Sequence, residues 1–176
     1  MIITKHKESK IQTDYFFIKG NIQNINVNYF INRIEEGIKQ QDSLNGVTNV
    51  KGYMTSWKYF NTDIEFFKTV HPMMDYFEKN NLDERKYQIK DSWGIKETFG
   101  NFTQPHNHRQ SLWSGVIYLS NVNQPLIFKD INEEVEAKVG NFAFFSPFLN
   151  HETKNRIRKD EIKYGMAFNF DEVSTF

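Results

Sequence analysis

The chain of 176 residues and 21.0 kDa is the size of one domain, since domains typically hold roughly 100–200 residues. Lys and Arg balance Asp and Glu at 22 each, which argues against affinity for nucleic acid or anionic membranes driven by bulk charge. With no cysteine in the chain, disulfides, thiolate metal sites, iron–sulfur clusters and cysteine nucleophiles are excluded.

Hydrophobic residues make up 39% of the chain and aromatics 16%, including 17 Phe, enough to build a packed interior. No apolar run approaches the roughly 20 residues of a membrane span, and the N-terminal stretch MIITKHKESK lacks the apolar centre of a signal peptide. The expectation is a soluble, cytoplasmic protein with neither nucleic-acid nor membrane partners. The abundance of Lys, Asn and Ile fits an AT-rich coding sequence of a small-genome bacterium or a virus, which allows for a virus-encoded protein acting in a host cytoplasm. Prolines are scattered at Pro72, Pro105, Pro125 and Pro147 with no repeat or linker, so a single domain over 1–176 is expected, helix-rich over 1–85 and β-rich over 86–171.

Taken in chain order, residues 15–18 read as an edge strand. Phe30, Ile31, Ile34 and Ile38 then fall three or four apart and predict a helix over 26–40. Residues 50–55 suggest another edge strand. Ile64, Phe67, Val70, Met74 and Phe77 repeat at helical spacing and predict a second helix over 62–79, capped by Asn61 or Thr62. Beyond residue 85 the pattern turns to short β-like runs at 87–97, 112–120, 125–129, 135–139, 141–146 and 163–170. So many short strands suggest a sandwich or barrel, whose outer face two amphipathic helices can cover.

Of the five histidines, His6 and His71 read as structural or solvated. His106 and His108 are different, because residues i and i+2 on an extended chain project to the same face. His151 follows the apolar run Phe144-Phe145-Ser146-Pro147-Phe148-Leu149 and can supply a third ligand to a metal on a β scaffold. Imidazole suits zinc, iron, copper and nickel alike, so this set does not choose the ion.

The last strand carries Tyr164, Met166, Phe168 and Phe170 on one face and Lys163, Gly165, Ala167 and Asn169 on the other. The bulky face must pack. The other, with a cation, two tiny residues and an amide, leaves room for a small anionic ligand, and a buried ammonium there needs an anionic partner.

These residues resemble a known family, the small 2-oxoglutarate/Fe(II)-dependent oxygenases related to prolyl 4-hydroxylases that are common in marine bacteria and their phages. The resemblance rests on Ser92-Trp93, Gln104-Pro105-His106-Asn107-His108, Ser114-Gly115-Val116-Ile117-Tyr118-Leu119, residues 139–146, His151, and Lys163 through Phe168-Asn169. The upstream Gly52-Tyr53-Met54-Thr55-Ser56 extends it over most of the chain. It implies a mainly β (α+β) fold, a double-stranded β-helix or cupin-like jelly roll with N-terminal helices on one outer face. It also implies Fe(II) and 2-oxoglutarate as cofactors, O2 as co-reactant, and a small-molecule or peptide substrate, with a prolyl or other amino-acid group as one expectation.

By the same resemblance His106 and His151 are metal ligands, and His108 stands where most of the superfamily has the carboxylate of a 2-His-1-carboxylate triad. His108 therefore either completes a three-His site or swings aside. Lys163 takes the position of the basic residue that pairs with the distal carboxylate of 2-oxoglutarate, with Arg156 and Arg158 as alternatives in a charged stretch. Tyr118, Asn169 and Ser114 are further pocket candidates, and Trp57, Trp93 and Trp113 are candidates for an entrance. Two other classes stay open: a zinc-dependent hydrolase or lyase on a cupin-like barrel, which leaves Lys163 without a role, and a non-catalytic ligand- or protein-binding jelly roll, which turns over no 2-oxoglutarate.

Overall fold

The alternation along residues 163–170 organises the molecule. The computed structural model describes residues 15–40, 48–80 and 86–173. In chain order these form β1 (Phe17–Asn21), α1 (Val27–Lys39), β2 (Val50–Lys51), β3 (Tyr53–Met54), α2 (Ile64–Asn80), β4 (Tyr87–Glu97), β5 (Phe102–Thr103), β6 (Trp113–Tyr118), β7 (Leu126–Phe128), β8 (Glu133–Val135), β9 (Asn141–Phe145), β10 (Glu152–Thr153) and β11 (Lys163–Glu172). Six strands make one antiparallel sheet in the order β1-β9-β6-β11-β4-β3, with β11 near its centre. A three-stranded sheet, β10-β7-β8, and the pair β2-β5 complete the β structure. This is a mainly β, jelly-roll architecture.

Each central strand divides its side chains between two cores, as period-2 alternation requires. From β6, Ile117 and the following Leu119 join Phe144, Met166, Phe168 and Phe170 against Phe30 and Ile34 of α1 and Phe66, Val70 and Met73 of α2. Val116 and Tyr118 point the other way, where they meet Leu126, Phe128 and Val135 of the small sheet and Ala143 and Phe145 of β9. The helices thus cover the outer face of the large sheet, and the small sheet closes over its inner face. Gly94 lets α1 come this close, because a Cβ there would sit 2.4 Å from Ile34 Cγ1.

The strand and helix expectations hold in place and differ at the edges. The β4 strand spans the residues expected, whereas β8 lies at Glu133–Val135 rather than over 135–139, and the expected run at 50–55 divides into β2 and β3. The cap of α2 is neither Asn61 nor Thr62: Asp63 Oδ1 accepts from the Phe66 N–H at 3.0 Å, as an N-cap carboxylate does. The buried face of α2 is also rotated from the expected one. Phe66, Val70 and Met73 are buried while Ile64 and Phe67 are exposed; the side chain of Phe77 lies outside the described residues, as does His6. Among the described residues no helix is long and apolar enough to cross a membrane.

Candidate metal centre

His106 and His151 come from segments 45 positions apart and are joined by backbone pairing. The His106 N–H donates to the His151 carbonyl at 3.1 Å and the His151 N–H to the His106 carbonyl at 2.9 Å, an antiparallel bridge that sets both side chains on one face. The His108 N–H donates to the Pro147 carbonyl at 2.7 Å, which anchors the third ring to the turn that delivers His151. The three rings offer ligand atoms that all lie within 4.8 Å of one another.

Second contacts of the rings decide which nitrogen faces the centre. Nδ1 of His106 is 2.8 Å from the Gln104 carbonyl oxygen and Nδ1 of His151 is 3.0 Å from that of Leu149. A carbonyl accepts only, so each Nδ1 carries the proton and each Nε2 is left with its lone pair, the usual support of a metal-ligating imidazole. Nε2 of His108 and Nε2 of His151 are 3.3 Å apart, and two nitrogens bound at about 2.0–2.1 Å to one ion lie at about that separation. The residues fit a divalent ion with imidazole ligands.

Burial keeps the rings neutral. Desolvation lowers the His106 pKa, takes that of His108 down to about 3 with help from the His106 charge, and holds that of His151 well below the ordinary imidazole value. Phe128 and Phe145 flank the His151 ring at centroid distances of 5.4 and 4.9 Å.

The three rings belong to the lining of a cavity of about 60 Å³ inside the barrel. Lys163 lies in the same lining, together with Gly165, Ala167 and Asn169 from its face of β11 and with Tyr118. The alternation read from the sequence therefore places this face inward. Ser114 is not in the lining: its hydroxyl donates to Asn169 Oδ1 at 2.7 Å and orients that amide from behind. Tyr118 is fully buried, and desolvation first, then the nearby Glu97, raises its pKa, so its phenol keeps its proton. Arg156 and Arg158 are exposed, and Arg156 instead donates to the Gly100 carbonyl and stacks on Phe102.

Two members of the site have no counterpart in the sequence reading. Glu97 is the cross-strand neighbour of Lys163, and its Oε2 lies 2.8 Å from the ammonium with side-chain exposures of 1% and 5%. Gln124, also fully buried, gives its Nε2 to the carbonyls of Asn101 and Asn155, which leaves Oε1 to accept from Lys163 Nζ at 2.7 Å. Glu97 ends a strand whose Trp93 and Ile95 line the same cavity, so period-2 counting along β4 could have found it; Gln124 lies in the loop between β6 and β7 and carried no signal. Glu97 Oε2 and Trp93 Nε1 are buried without a directed hydrogen bond, which leaves polar valence in a lining that a bound ligand can satisfy.

A second, open hollow of about 400 Å³ lies outside the first, lined by Trp57, Asp91, Arg109 and Ser111 and sharing His108 and Asn169 with the inner one. Trp57 stands edge-on to Trp93 at 4.8 Å. A bulge between Asn169 and Phe170 of β11, where Asn169 pairs with Asp91 and Phe170 with Ile89, turns Lys90 out of register at this rim. Trp113 packs instead against Phe16 and Phe144 in the outer core.

No family model and no curated protein matches the sequence. Solved structures do. The viral collagen prolyl hydroxylase of Paramecium Bursaria Chlorella virus-1, in its 2-oxoglutarate complex, superposes with a TM-score of 0.68 at 14% identity over 89% of this chain and 94% of that one. The fold is that of the prolyl 4-hydroxylase type of 2-oxoglutarate/Fe(II) oxygenase. A Pseudomonas putida prolyl-4-hydroxylase matches this oxygenase fold equally, with a TM-score of 0.68 and 11% identity over 90% of this chain and 93% of that one. HygX from Streptomyces hygroscopicus, with nickel and 2-oxoglutarate bound, matches it with a TM-score of 0.60 and 9% identity over 89% and 82%.

Proposed function

We propose that the protein is an Fe(II)- and 2-oxoglutarate-dependent dioxygenase that hydroxylates a prolyl or other amino-acid or peptide substrate. The observation that carries this reading is the placing of three Nε2-directed imidazoles and one buried lysine in the lining of the same cavity of an oxygenase fold. His106, His108 and His151 would hold the ion, and three imidazoles leave sites on it for the co-substrate and O2. Bound there, Fe(II) supplies the oxidative decarboxylation of 2-oxoglutarate by O2 to succinate and CO2 and the transfer of the second oxygen atom to a substrate C–H bond.

The chain's own residues supply position and field. Lys163 would face the distal end of the co-substrate, with the Tyr118 phenol beside it, and the apolar walls from Val116, Leu126 and Phe145 would exclude water from it. Asn169, held by Ser114, borders both hollows and would orient the substrate above the ion. The indole of Trp57, 42% exposed, offers an apolar face to a saturated ring such as proline's.

The test is turnover. Purified protein with Fe(II), ascorbate, 2-oxoglutarate and O2 should release succinate and convert at least one member of a panel of prolyl peptides and free amino acids to a product heavier by one oxygen atom. Absence of both succinate and product, with iron held at one equivalent, would reject it.

A further inference from the structure

Lys163 already has an anion. Its Nζ donates to Gln124 Oε1 at 2.7 Å and forms an ion pair with Glu97 Oε2 at 2.8 Å, and the Tyr118 ring centroid lies 5.3 Å away. Among the described residues that line the cavity, Glu97 is the one acid and Lys163 the one base besides the imidazoles. The part of the lining that this pair forms therefore carries no net charge. A second carboxylate brought there would meet a cation whose charge is shared with Glu97 and, beside it, a like charge desolvated to the same degree. Like charges so placed are costly in a dry site. A neutral amide end meets no such repulsion, and its N–H can satisfy the Glu97 Oε2 that makes no directed hydrogen bond.

We propose that Glu97 is a specificity-determining residue of the co-substrate site: by pairing internally with Lys163 it removes most of the advantage that a 2-oxo acid with a distal carboxylate would have over one with a neutral, hydrogen-bonding distal end. The proposal rests on the oxygenase reading above. It makes Glu97 a brake on 2-oxoglutarate affinity rather than a support for it, and it extends the acceptable co-substrates to 2-oxo acids with an amide tail of the same length.

The experiment is a calorimetric titration of the Ni(II)-loaded protein, in which Ni(II) replaces Fe(II) so that turnover does not intervene, with 2-oxoglutarate and with 2-oxoglutaramate. The quantity read is the ratio of the two affinities on the same folded, metal-loaded molecules, so a variant that is partly unfolded still reports it. The wild type should bind the two within about tenfold of each other, and Glu97→Gln, which keeps an acceptor for Lys163, should shift the ratio toward 2-oxoglutarate by about tenfold or more, or about 1.4 kcal/mol. An unchanged ratio in Glu97→Gln, or one that moves toward the amide, overturns the proposal. A wild-type preference for 2-oxoglutarate above about a hundredfold overturns it with no variant needed. If neither acid binds either protein while Ni(II) is held, the oxygenase reading itself fails and the proposal falls with it.

Discussion

Lys163 and Glu97 face each other across β11 and β4 as an ion pair of 2.8 Å with both side chains almost fully buried. A pair so placed adds little net stability compared with apolar residues of the same volume, yet removing one partner strands the other charge. We expect Lys163→Met to destabilise the metal-free protein by about 3–5 kcal/mol, and Lys163→Met with Glu97→Leu to recover most of that loss. Urea unfolding of the two variants beside the wild type measures it. A single variant within about 1 kcal/mol of wild type would mean that Glu97 finds solvent or another donor.

The proposed metal ligands separate by substitution. His106→Ala and His151→Ala should each lower affinity for Fe(II), Ni(II) or Zn(II) by more than the roughly 10–100-fold that changes to outer contacts cost. His108→Ala distinguishes a three-His centre from a two-His one: a loss of the same size makes His108 a ligand, and unchanged affinity in equilibrium dialysis rejects that role.

Acid should destabilise the metal-free protein from about pH 6.5 downward. The three rings are neutral in the fold, with their pKa values lowered mainly by burial, whereas in the unfolded chain each titrates near its ordinary value of about 6.5. The unfolded state then binds more protons, so stability is full above that value and falls as the pH drops toward the folded values, about 3 for His108. Each ring contributes a slope of up to about 1.4 kcal/mol per pH unit. Urea midpoints between pH 7.5 and 5 should therefore fall less steeply in His108→Ala than in wild type. Equal slopes would mean that His108 reaches solvent when charged.

Local spacing carried the parts of this fold that are local. Alternation along 163–170 gave the inward face of β11 and the position of Lys163, and the His-x-His spacing with a distant His151 gave the three rings that meet. What failed was set by partners far away in sequence. The helical pattern of α2 contains more apolar residues than one face can bury, so Phe66 and Met73 could be chosen over Phe67 and Met74 only by where α2 meets Phe168 and Phe60. The two-residue strands β5 and β10 are too short for any period to show. Glu97 reads in sequence as one more charge at a strand end, and its burial follows from the pairing of β4 with β11.

Asp63 ties the start of α2 to α1. It caps Phe66, accepts from the Tyr29 hydroxyl at 2.8 Å and lies 3.6 Å from Nε of Arg33. Its carboxylate raises the Tyr29 pKa, chiefly through that hydrogen bond. Loss of a cap costs about 0.5–2 kcal/mol. We expect Asp63→Ala to reach the upper end of that range and Asp63→Asn, which still caps, to stay near the lower end, as read by thermal unfolding. Equal losses in the two variants would assign the effect to charge alone.

The most direct test of the oxygenase reading is an anaerobic titration of the metal-free protein, first with Fe(II) and then with 2-oxoglutarate to saturation, followed by visible absorption. The weak metal-to-ligand charge-transfer band of chelated 2-oxoglutarate should appear only when both are present and should be lost in His151→Ala. Binding of Fe(II) with no such band at saturating 2-oxoglutarate, or selective binding of zinc, would contradict the account and leave a three-histidine barrel with a different chemistry.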